Sequence, residues 1–172
     1  NGTGVDVLKT AIVGLGWWGQ VLVDAVQVEG KPKDDKIHFT TGVVRTPANS
    51  ADYAARQGLI LSNDYKAVLE NPEIDAVVLA TPHGHHESAT VQAIQAGKHV
   101  FVEKPLALTS NAARQIQQKV EKSDVILALG HNRRFLPAVL TMNDMVSSGA
   151  LGTLLHTEGN FSNRYGFDYL DQ

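Results

Sequence analysis

A chain of 172 residues is long enough for one domain with a proper core and too short for two large ones. Its 43% hydrophobic and 19% charged residues are ordinary for a soluble globular protein, and the net charge of −3 gives no basic surface for nucleic acid. No apolar run approaches the roughly 20 residues that span a bilayer, and the absence of cysteine excludes disulfides, thiol catalysis and thiolate metal sites. Nothing resembles a signal peptide, the start at Asn1 rather than Met leaves a removed segment or trimmed tag open, and the cytoplasm stands as a default rather than a deduction.

In chain order, residues 1–8 read as a loose lead-in. Ala11, Ile12 and Val13 then form a buried strand that runs through Gly14-Leu15-Gly16-Trp17-Trp18-Gly19 into a helix from Trp17 to Val28, with Gly30 and Pro32 as stops. Residues 31–36 read as a charged loop, followed by a strand from Ile37 through Val44. Pro47 opens a helix that Gly58 closes, Leu59 to Leu61 form a short strand, and Ser62, Asn63 or Asp64 caps a helix over residues 65–69. The apolar run from Ile74 to Ala80 suits a parallel strand buried on both faces. A helix over residues 87–96 and a strand over 99–102 repeat the rhythm, and Thr109-Ser110-Asn111 caps the next helix, which runs to Lys122. A strand over residues 125–129 follows.

Strands alternating with helices of this length predict an α/β fold, a doubly wound parallel sheet of Rossmann type, complete by about residue 133. A helix from Pro137 to Ser148 and a strand over residues 152–157 then read as the start of an incomplete α+β substrate domain over residues 134–172. That strand has no partner of its own, which would leave it an exposed edge.

The glycine turn is the strongest chemical signal. Gly14 permits the sharp turn, Gly16 lets a pyrophosphate approach the backbone, and Gly19 lets the helix pack close to the strand; the helix N-terminus offers N–H groups to phosphate. The second strand ends in Arg45-Thr46 with no carboxylate, and Asp34 and Asp35 come too early. This favours NADP, with NAD the alternative cofactor, over a merely solvated arginine. The run Thr81-Pro82-His83-Gly84-His85-His86 invites a metal reading, but with no cysteine and no acid at clear spacing beyond Glu87 no metal site is expected. The loop is read as lying along the cofactor. In Glu103-Lys104-Pro105 a strand-end lysine has the chemistry to exchange a proton with a substrate hydroxyl, although Glu-Lys alone also suits a surface ion pair.

Taken together, the glycine turn, Thr81-Pro82 with His86, and Glu103-Lys104-Pro105 resemble the Gfo/Idh/MocA family of NAD(P)-dependent oxidoreductases, which act mostly on sugars, cyclitols and their derivatives. Arg134-Phe135-Leu136-Pro137 and Gly149-Ala150-Leu151-Gly152 are similar to that family's passage into its substrate domain. The resemblance implies that Gly14, Gly16 and Gly19 hold the pyrophosphate and that Thr81, Pro82 and His86 border the cofactor. It also implies that Glu103 and Lys104 sit near nicotinamide with Lys104 catalytic, and that Asn132 and Arg133 lie at the domain crossing. Of Trp17 and Trp18, one lines the cofactor and the other packs, in an order left open. A small polyol or sugar-like substrate and a homo-oligomer of the full-length protein are implied as well, with neither nucleic acid nor membrane as partner.

The departure is length. Family members run to about twice this size, that of a two-domain chain, and pair the lysine with an acid and a histidine of the substrate domain. Asp168 has no histidine after it and is not given that role. Two other readings are a non-catalytic dinucleotide-binding or redox-sensing module and NAD-dependent hydrolysis of a glycosidic bond.

Overall fold

The computed structural model describes residues 7–34 and 36–160; the lead-in at 1–6, Asp35 and Asp168 lie outside the described residues. Two compact units divide after His131.

The first unit is a six-stranded sheet. Its strands are β1 (Leu8–Val13), β4 (Ile37–Val43), β5 (Ile60–Ser62), β6 (Ala76–Leu79), β7 (His99–Val102) and β8 (Leu127–Leu129), in the spatial order β5-β4-β1-β6-β7-β8. Every neighbouring pair is parallel. The chain leaves β1 toward β4 on one side and returns to β6 on the other, so the order reverses at β1, where open α/β sheets bind ligands.

Side chains alternate across a strand, and β1 shows the consequence. Ala11 and Val13 enter one core with Val77, Leu79, Val100, Ala93 and Ile116, which backs onto α3 (Tyr65–Glu70), α4 (His86–Gln95) and α5 (Ser110–Val120). Ile12 enters the other with Val23, Phe39, Tyr53 and Ala54, under α1 (Trp17–Val26) and α2 (Ala51–Gln57). The sheet is thus covered on both faces, as continuous apolar strands require.

Caps and stops sit where the residue types dictate. Asp64 accepts from the Ala67 amide at 3.0 Å, Thr109 accepts from the Ala112 amide at 3.2 Å, and Gly58 closes α2 at φ +64°. The expected first helix is corrected at its end. It stops at Val26, and Gln27–Val28 pairs antiparallel with Lys31–Pro32 as the short hairpin β2–β3, so the predicted charged loop is partly strand. The cause is Gln27, fully buried, which donates to the Gln57 carbonyl at 3.0 Å and accepts from the Phe39 amide at 2.8 Å. Such bonds hold Gln27 in extended backbone.

The second unit contains a 3-10 turn over Asn132–Phe135 and the helix α6 (Pro137–Ser147), with Gly149 at φ +73° behind it. The expected strand over residues 152–157 is absent: the segment is irregular and exposed. Its apolar residues supply β-propensity, but among the described residues no neighbouring strand supplies the ladder of backbone hydrogen bonds.

Candidate dinucleotide site

The ends of β1, β4 and β6 are tied together by their own backbone. The Gly14 amide donates to the Val43 carbonyl at 2.9 Å and the Ala80 amide to the Val13 carbonyl at 2.9 Å. In this knot the three glycines have different duties. Gly14 turns at φ +95°, and a Cβ there would meet the Ala80 carbonyl oxygen at 2.6 Å. At Gly19 a Cβ would lie 1.9 Å from the Gly14 carbonyl oxygen, so only glycine lets α1 come this close. Among the described residues, nothing lies within 4 Å of a Cβ at Gly16, the N-cap of α1. The space in front of the helix N-terminus is open, and its amides are directed toward it.

That opening belongs to a cleft of about 840 Å³ lined by Gly14, Gly16, Arg45, Thr46, Thr81 and Pro82 among others. Six of the residues singled out in the sequence therefore share one cavity. His85, of the loop read as lying along the cofactor, lines it too, as do Asn49, Ser50, Asn63 and Tyr65, which the sequence reading missed. The signal for Asn63 was the register: Val43 stands opposite Ser62, so the residues after β4 and β5 emerge side by side. Among the described residues, none that lines the cleft is Asp or Glu. Tyr65 donates to the Ala89 carbonyl at 3.0 Å, and burial pushes its phenol above the ordinary range.

The residues fit a dinucleotide. Gly16 leaves a space that a Cβ would narrow, and the buried Thr81 hydroxyl has no hydrogen-bond partner in the described structure. Trp17 is 77% exposed, while Trp18 is half-buried with its indole nitrogen buried and without a hydrogen-bond partner among the described residues; their rings lie 5.4 Å apart.

One strand further out, β7 delivers Glu103 and Lys104. The Glu103 amide donates to the Leu79 carbonyl at 3.0 Å, its carboxylate is buried, and that carboxylate accepts from the Lys104 amide at 3.3 Å. A Cβ on Gly130 would meet Glu103 Oε1 at 2.8 Å, so glycine after β8 makes room for the acid. Lys104 is exposed, and its peptide bond to Pro105 is cis. His86 is fully buried, whereas Asn132 and Arg133 belong to the second unit.

The family model "Oxidoreductase family, NAD-binding Rossmann fold" of GFO_IDH_MocA matches residues 8–131. Scyllo-inositol 2-dehydrogenase (NAD(+)) of Bacillus subtilis is 37% identical over 98 residues, 57% of this chain and 29% of that protein. The scyllo-inositol 2-dehydrogenase (NADP(+)) of the same organism is 30% identical over 148 residues, 86% of this chain and 39% of that protein. Among solved structures, scyllo-inositol dehydrogenase from Lactobacillus casei with bound NAD(H) and scyllo-inositol superposes with a TM-score of 0.76 at 28% identity, covering 85% of this chain and 42% of that one. The chain spans less than half the length of these relatives. A parallel sheet reversing at β1, a glycine cradle at that reversal and the matched span from Leu8 to His131 lead to one conclusion: the chain belongs to the Gfo/Idh/MocA oxidoreductase family, through its NAD-binding Rossmann domain.

Proposed function

We propose that this chain is the cofactor-binding part of an NAD(P)-dependent dehydrogenase acting on a hydroxyl or carbonyl group of a sugar, cyclitol or related polyol. The observation that carries the reading is the cleft at the β1 reversal, with an open glycine cradle at the head of α1. Residues 1–133 are read as the dinucleotide domain and 134–172 as the beginning of the substrate domain, with Asn132 and Arg133 at the crossing. The homo-oligomer of the full-length protein remains part of the proposal.

A bound nicotinamide dinucleotide supplies the site with a hydride donor or acceptor. The residues of the chain do the rest. Amides at the start of α1 hold the pyrophosphate, with Gly16 presenting no side chain against it. The Thr81 hydroxyl gains a partner, and Pro82 and one of the two tryptophans bound the cofactor. Arg45 and Thr46, on a cleft wall with no acid among its described residues, favour a ribose 2′-phosphate and therefore NADP over NAD. Lys104, exposed after β7, moves the proton of the substrate hydroxyl, and Glu103 supports it from beneath.

The test follows reduced cofactor formation by the intact protein over a panel of cyclitols and sugars, for the wild type and Lys104→Met. The reading predicts turnover that falls about 100-fold or more in the variant, while cofactor affinity holds. Turnover indifferent to Lys104 would contradict the role given to it.

A further inference from the structure

His86 opens α4, yet its side chain is fully buried. Its ring bridges the loops that follow β6 and β7. Nε2 lies 2.8 Å from the Thr81 carbonyl oxygen and Nδ1 lies 2.7 Å from the Pro105 carbonyl oxygen. Both partners are acceptors, so any hydrogen in either bond comes from the ring. Thr81 lines the cleft, and Pro105 directly follows Lys104. The His83 ring meets His86 edge-on, with centroids 5.7 Å apart.

We propose that His86 is a positioning residue: it clasps the Thr81 loop to the Lys104-Pro105 loop and so fixes the backbone from which Lys104 reaches the reacting group. It acts through these two carbonyls, without touching the dinucleotide. The proposal rests on the reading of Lys104 as the proton-transfer group. Imidazole suits the task because its two nitrogens sit on different edges of a rigid ring and can meet two separate loops at once. Phenylalanine keeps much of the packing and removes both polar contacts, whereas glutamine keeps one amide donor.

The experiment compares wild type, His86→Phe and His86→Gln in the intact protein. Amide hydrogen exchange without cofactor reads the clasp directly. His86→Phe is expected to exchange about 10-fold faster in residues 79–83 and 103–107, with β1 and β4 unchanged. Kinetics then read its consequence: kcat falls about 10- to 100-fold while the Kd for NADPH moves less than about threefold. His86→Gln restores part of both and carries the comparison should the phenylalanine variant fail to fold. Exchange that rises throughout the unit, or that stays unchanged over 103–107, would overturn the proposal, as would equal losses in kcat and affinity. Wild-type protein that binds neither NADPH nor NADH would defeat the proposed function instead, and the exchange data would still decide whether the clasp exists.

Discussion

At the residue scale, the two glycines at the head of α1 separate binding from folding. Gly16 has a backbone that any L-residue adopts, φ −65°, and open space in front of it. Gly16→Asp therefore keeps its melting temperature within a few degrees, but its carboxylate faces the pyrophosphate and binding weakens at least 100-fold, about 3 kcal/mol. Gly19→Ala places a methyl group 1.9 Å from a backbone oxygen, so either α1 or the turn shifts. A loss of about 2 kcal/mol or more is expected on denaturant unfolding. At the cleft's other wall, Arg45→Ala should reduce the preference for NADPH over NADH in paired titrations followed by tryptophan emission. Equal affinities in the wild type would remove the NADP assignment.

At the element scale, much of this fold was legible because its signals are local. The apolar runs at Ile12 and Val77 mark buried strands, Asp64 and Thr109 cap helices, and Gly58 ends one. What escaped was non-local. The hairpin β2–β3 exists because Gln27 bonds to Gln57 and Phe39, and those partners lie 30 and 12 residues away. The strand expected over residues 152–157 had the composition but no partner among the described residues, and composition does not reveal partners. The site divides the same way: glycine spacing announced Gly14, Gly16 and Gly19, whereas Asn49, Asn63 and Tyr65 reach the cleft only through parallel pairing.

The helices also carry a pH dependence. Burial, then the hydrogen bond to Asp24 at 2.8 Å, raises the Tyr53 phenol between α1 and α2, and burial raises that of Tyr65. Folded phenols thus hold their protons where unfolded ones, near pH 10, lose them. The unfolded state then binds fewer protons, so stability falls as pH rises above about 10. Denaturant midpoints measured from pH 8 to 11 should show this decline, and Tyr53→Phe with Tyr65→Phe should flatten it.

At the scale of the whole first unit, the two ends of the sheet do different work. The end where strands finish carries the cleft, Glu103 and Lys104. The opposite end is fastened by Lys9, which pairs with Glu73, and by the nearly buried Lys98, whose ammonium donates to the Asn71 and Ile74 carbonyls at 2.8 and 2.7 Å. The Lys9 pair holds the exposed Glu73 carboxyl below the usual range. Lys98→Met leaves the Ile74 carbonyl without its lysine donor and the Asn71 carbonyl with only the Ile74 amide, and should cost about 2 kcal/mol, with cofactor affinity unchanged. This separation allows stability and binding to be altered independently.

The most direct test is calorimetric titration of NADPH and of NADH into the intact wild-type protein and its Gly16→Asp variant. One dinucleotide per chain is expected in the wild type, tighter for NADPH, with no measurable heat of binding in a variant that melts like the wild type. A wild-type protein that binds neither cofactor, or a variant that binds both as well as the wild type, would contradict the assignment of the cleft.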